Sequence, residues 1–127
     1  MDEPTFDLDA AGLRADGPEL IAAVEVLARK LEISLPHATT VQRRSRRMFS
    51  KDKVVETIEV RLGTTRYGIT LDGERVAADR AQEVRGVVIK REPLGVADWL
   101  LALAEQLREE AADSAEAREA LERLVGS

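Results

Sequence analysis

The sequence predicts a two-layer α+β domain: an N-terminal helix, an antiparallel four- to five-stranded meander, and a long or hinged C-terminal helix. Three observations carry this prediction. Apolar residues recur at helical spacing in residues 20–31 and 99–107, and they alternate at strand spacing between residues 54 and 90. An Asp-Gly pair at residues 72–73 is a strong signal for a two-residue hairpin turn. The chain has 127 residues, which is enough for one domain.

Residues 1–15 are predicted to form a flexible acidic arm, and residues 16–127 a single α+β domain. The arm shows no apolar periodicity, and its acidic residues are Asp2, Glu3, Asp7 and Asp9. The N-terminus lacks the basic and apolar stretches of a signal peptide, and no apolar run approaches the about 18 residues of a membrane span. We therefore expect a cytoplasmic protein with no membrane span.

The first helix is predicted to begin at Asp16. Asp16 can cap it, Glu19 lies three positions later as a capping box requires, and Pro18 suits the first turn. Its apolar stripe recurs at spacings of four and three residues: Leu20, Val24, Leu27 and Leu31. Pro36 marks the end of the helix.

The middle of the chain is predicted to form strands. Residues 39–49 are predicted to be extended but polar. The next segment alternates, although Glu56 interrupts it, and its predicted apolar face carries Val54, Ile58, Val60 and Leu62. After Gly63 a second alternation places four residues on one face: Thr65, Tyr67, Ile69 and Leu71.

Two further strands are predicted after the Asp72-Gly73 turn. Residues 74–78 form the returning strand, and residues 84–90 form the next one. The apolar centre of that last strand is predicted to be Val87, Val88 and Ile89. Strands joined by short turns, with one apolar face, predict an antiparallel meander.

The C-terminal part is predicted to be helical from residue 95 to 125. Its apolar stripe consists of Trp99, Leu100, Leu103 and Leu107, and Trp99 is predicted to be a core residue. Asp113 and Glu116 form a second capping box, so the segment is either one long helix or two helices hinged near Asp113. A single helix of this length would run about 45 Å. We therefore expect its tail to fold back or to pack on another chain, with Leu121, Leu124 and Val125 as the candidate interface.

Charge is distributed unevenly along the chain. Residues 1–35 carry 8 acidic and 3 basic residues, residues 36–91 carry 7 and 13, and residues 92–127 carry 9 and 3. A basic centre therefore separates two acidic segments. The strongest local cluster is the candidate basic interaction patch: Arg43, Arg44, Arg46, Arg47, Lys51 and Lys53.

Two interpretations of this basic patch compete. A basic strand can bind phosphates, with affinity from counterion release. The same arginines can instead pair with the acidic helices of this chain or with a partner protein. The net charge of −5 and the scarcity of aromatic residues, with Phe49 and Tyr67 as stacking candidates, favour the second interpretation.

Catalytic and cofactor motifs are lacking in the sequence. There is no cysteine, His37 is the single histidine, and no Gly-x-Ser-x-Gly, Gly-x-Gly-x-x-Gly or P-loop pattern occurs. Arginine outnumbers lysine 15 to 4 and asparagine is absent, a composition typical of a GC-rich bacterial genome. We therefore predict a non-enzymatic protein that needs neither a cofactor nor a metal.

The leading functional hypothesis is a protein–protein interaction module: an adaptor, chaperone-like protein or regulatory subunit that forms a homodimer or binds another protein. The alternative hypothesis is a nucleic-acid-binding protein that uses the basic strand 43–53.

Overall fold

The computed structural model describes residues 18–45, 53–73, 75–111 and 114–126, which form three helices and five strands. The elements are Pro18–Ser34 (α1), Thr39–Ser45 (β1), Lys53–Leu62 (β2), Thr65–Asp72 (β3), Arg75–Val84 (β4), Val87–Leu94 (β5), Val96–Glu110 (α2) and Ala115–Gly126 (α3). The predicted acidic arm, residues 1–15, lies outside the described residues.

The five strands form one antiparallel sheet in chain order, β1-β2-β3-β4-β5. This arrangement confirms the predicted α+β class and the meander. A hairpin turn lies where the Asp72-Gly73 pair predicts one, but it is shifted by one residue: Asp72 still belongs to β3 and pairs with Arg75, and Gly73, with φ +65°, follows it in the turn. Only a residue without Cβ adopts that conformation without strain.

A β-bulge corrects the predicted buried face of β2. Gln42 of β1 pairs with Thr57 of β2, whereas Arg43 pairs with Val55, so Glu56 is an extra residue. The extra residue reverses the alternation, and Val55 joins Ile58 on the buried face. The prediction that Val54 shares this face was wrong, because the pairing register between β1 and β2 cannot be read from the sequence of β2 alone.

The end of the sheet differs more from the prediction. Residues 84–90 form the end of β4, a two-residue turn at Arg85-Gly86 and the start of β5. Val87, Val88 and Ile89, the predicted apolar centre of a strand, are 60 %, 43 % and 65 % exposed. That prediction was wrong, because the turn carries the segment past the start of β3, where no helix packs on it.

The three helices lie on one face of the sheet. α1 packs on β1 and β2, α2 packs mainly on β4, and α3 packs on the other two helices. The core lies between these layers. Trp99, predicted to be a core residue, is fully buried there and meets Tyr67 edge to face, with ring centroids 6.0 Å apart.

The C-terminal segment forms two helices, as one of the two predicted alternatives has it. α2 ends at Glu110, and the Ser114 hydroxyl caps α3 by accepting a hydrogen bond from the Ala117 amide. α3 then folds back on its own chain, burying Ala117 and Ala120 in the core. Asp113, the predicted hinge residue, lies outside the described residues.

Candidate functional site

The basic patch divides into a partly buried residue, exposed residues and residues outside the described part of the chain. Arg43 points to α1 and forms a two-pronged ion pair with Glu32, at N···O distances of 2.7 and 3.0 Å. This hydrogen bond lowers the pKa of Glu32 and raises the pKa of Arg43. Arg44 and Lys53 are exposed at neighbouring positions of the β1–β2 pair. Arg46, Arg47 and Lys51 lie outside the described residues.

The candidate interface at the C-terminus also has contacts within the chain. Leu121 and Leu124 of α3 are half-buried and pack against the hydrophobic core. The side chain of Val125 is outside the described part. Part of Leu121 and Leu124 is therefore already covered without a partner.

The sheet face opposite the helices carries a network of ion pairs. Arg61 bonds to Glu59 and to Glu83, and Arg66 bonds to the second oxygen of Glu83. The bond from Arg61 lowers the pKa of Glu83. Further along the same face Arg91 pairs with Asp79 at 2.7 Å. Positive and negative side chains balance here, so this face presents no surface of one sign.

A hydrogen-bonded cluster inside the domain joins the sheet to α2. The Tyr67 hydroxyl donates to the Gln106 side-chain oxygen at 2.6 Å, and the Gln106 amide donates to the Leu62 carbonyl at 3.1 Å. Burial raises the pKa of Tyr67. These hydrogen bonds join α2 to β2 and β3 of the sheet.

An exposed apolar surface lies where β4 turns into β5. We call it the hairpin tip, and its members are Val84, Val87, Val88 and Ile89. β3 begins at Thr65, opposite Gln82, so the last residues of β4 and the first of β5 extend beyond the third strand. The hairpin tip is thus a two-stranded projection with half-exposed β-branched side chains. Sequence reasoning missed it because the same residues suit a buried strand.

A groove lies at the other side of the sheet, between α1 and the start of β2. β2 and β3 pair from Thr57 to Leu62, but residues 53–55 of β2 pair with β1 and have no partner on β3. The strands therefore separate. The opening has a volume of about 840 Å³ and is lined by Ile21, Ala22, Glu25, Val26, Arg29, Arg44, Ser45, Val54, Val55, Leu71 and Gly73.

Within the described residues, no group of three or more His, Asp or Glu side chains could hold a metal ion. The helices in that part of the chain include none that is long and apolar enough to cross a membrane. Comparisons with protein families, with curated proteins and with solved structures find no match to this chain.

Proposed function

We propose that the protein is a non-enzymatic protein–protein interaction module whose first partner is a second copy of itself. The hairpin tip and the outer edge of β5 form the contact. The observation that carries this proposal is the exposure of four β-branched residues at the hairpin tip: Val84 at the end of β4, and Val87, Val88 and Ile89 on the edge strand β5.

The two edges of the sheet differ in how well they resist pairing. Charged and polar side chains protect edge strands from association, and β1 carries Gln42, Arg43 and Arg44. On β5, Pro93 lacks the N–H group that a paired strand needs. Val87, Val88 and Ile89 at the start of β5 provide neither form of protection, and Lys90 is the first charged residue after them. An added strand would gain backbone hydrogen bonds and apolar contact there.

The apolar area of the hairpin tip sets the expected affinity. Burying a whole Val or Ile side chain stabilises by about 1.5–3 kcal/mol, so covering four half-exposed ones in both copies contributes about 8 kcal/mol. Association costs at least about 4 kcal/mol. Adding edge hydrogen bonds of about 0.5–1.5 kcal/mol each gives a weak dimer, with a dissociation constant on the order of 100 μM.

Ile89→Lys tests this contact, because it places a charge on the hairpin tip. We expect the variant to remain monomeric at concentrations where the wild type dimerises, measured by sedimentation velocity over a dilution series. Ile33→Lys is the matched control: Ile33 on α1 is 65 % exposed, the same fraction as Ile89. A wild type that stays monomeric at about 1 mM, or an equal effect of the two variants, would contradict the proposal.

Nucleic-acid binding by the basic strand is the second candidate function. The exposure of Arg44 and Lys53 at neighbouring positions favours it, although Arg43 is already paired with Glu32. It predicts a shift of labelled DNA or RNA at low salt that falls steeply as salt rises. Replacing Arg44 and Lys53 with glutamine should weaken that shift. Absence of any shift at low salt would exclude this function.

A further inference from the structure

The groove between α1 and the separated strands β2 and β3 is a second binding surface, distinct from the hairpin tip. We propose that it binds an extended peptide segment of a partner protein in which apolar and acidic residues alternate. The proposal rests on three properties of the groove as seen in the described residues: its partly apolar lining, two exposed arginines without an ion pair, and strand positions without a pairing partner.

Part of the groove lining consists of apolar side chains, some of which are exposed. Ile21 and Val26 of α1 and Val54 of β2 are among its lining residues, and Val26 is 55 % exposed. Leu71 of β3 closes the inner end and is buried. A volume of about 840 Å³ lies within the range of roughly 300–1,000 Å³ typical of ligand sites. Water at these walls would be displaced by apolar side chains of a bound segment.

The charge of the rim selects acidic segments. Arg29 and Arg44 are exposed, and neither forms an ion pair with a residue in the described part of the chain. Glu25 is the acidic side chain of the lining, but its carboxylate accepts a hydrogen bond from the Val55 amide at 2.6 Å. Two exposed arginines against one carboxylate that is already hydrogen-bonded favour an anionic partner.

The separated strands supply backbone groups for an extended segment. Leu71 and Asp72 of β3 pair with β4 on one side, and no β2 residue in the described part pairs with them on the other. A bound strand can pair with such an edge while alternate side chains enter the groove. From Ile21 to Arg29 the helix rises about 12 Å, a length that about four extended residues span.

Fluorescence anisotropy on the full chain tests this inference. The probe is a labelled eight-residue peptide in which Leu or Phe alternates with Asp or Glu. We expect saturable binding, and about tenfold weaker binding to Arg29→Glu/Arg44→Glu. Arg108→Glu/Arg118→Glu is the control, because it makes the same total charge change at exposed residues of α2 and α3 that do not line the groove. A peptide with lysine in place of the acids should not bind.

Several outcomes would overturn the proposal: no binding of the acidic peptide, equal binding of the lysine peptide, or no effect of the double charge reversal. The acidic segment 1–15 of this chain is the competing occupant. If Asp7→Asn/Asp9→Asn strengthens peptide binding tenfold, that segment and not a partner occupies the groove.

The Ile89→Lys variant should bind the peptide as the wild type does. The experiments therefore distinguish a failure of the proposed dimer contact from a failure of the proposed groove.

Discussion

Arg85 occupies the first position of the turn between β4 and β5 with φ 54°, the one positive value among the non-glycine residues described. The left-handed conformation costs a residue with a Cβ about 1–2 kcal/mol, and asparagine tolerates it better than arginine. Gly86, the second position, adopts φ 80°. The pair therefore forms a hairpin turn for which the sequence Asn-Gly is preferred.

Arg85→Asn should stabilise the protein by about 0.5–1 kcal/mol, because it relieves this backbone strain. The free energy of unfolding in urea measures the effect. Arg75→Asn is the control, since Arg75 is also exposed but does not have a positive φ. Equal effects of the two substitutions would show that the turn conformation is not the cause.

Glu32 is the residue that links α1 to the basic strand, and its pKa lies below its ordinary value of 4.5 because Arg43 donates hydrogen bonds to it. A carboxyl group with a lowered folded-state pKa stabilises the fold above pH 4.5. That contribution is lost as the pH falls through the folded-state pKa. Because 37 % of the side chain is exposed, we expect no more than about 1 kcal/mol.

Glu32→Gln should lower stability at pH 7 and reduce the loss of stability between pH 5 and pH 3, roughly the window in which carboxylates titrate. Thermal unfolding across this pH series checks the sign. Glu122→Gln, on the exposed side of α3, is the control. A Glu32→Gln variant with an unchanged pH profile would show that the ion pair contributes nothing to folding.

At the scale of the elements, the sequence predicts well those segments whose apolar periodicity is uninterrupted. Residues 65–71 alternate without a break, and their four apolar-face residues are all buried as expected. The stripe of α1 and the position of Trp99 are predicted for the same reason: local spacing alone decides which side faces the core.

The elements that sequence reasoning missed depend on pairing between strands. The bulge at Glu56 is set by the register of β1 against β2, which neither strand specifies alone. An Arg-Gly pair is a weaker turn signal than Asp-Gly, so the sequence does not predict the turn at Arg85, and Val87, Val88 and Ile89 are predicted instead to be the apolar centre of a strand. The groove follows from the separation of β2 from β3, and no local sequence pattern predicts that separation.

At the scale of the whole molecule, the predicted layout of a basic centre between acidic helices is realised in part. The ion pair Arg43–Glu32 joins the sheet to α1, while the pairs of Arg61, Arg66 and Arg91 lie within the sheet. Arg44 and Lys53 remain exposed beside the groove. The apolar hairpin tip lies at the opposite edge of the sheet. The two proposed binding surfaces thus lie at opposite edges of the sheet, and we expect that binding at one would not block the other.

Hydrogen exchange followed by mass spectrometry tests the edge-strand contact most directly. The amides of residues 87–92 are compared in dilute protein and at about 1 mM, above the dissociation constant estimated from the apolar area. We predict that exchange in β5 slows as the concentration rises, while exchange in β1 stays the same. Concentration-independent exchange in β5, or slowing confined to β1, would contradict a dimer formed through the hairpin tip.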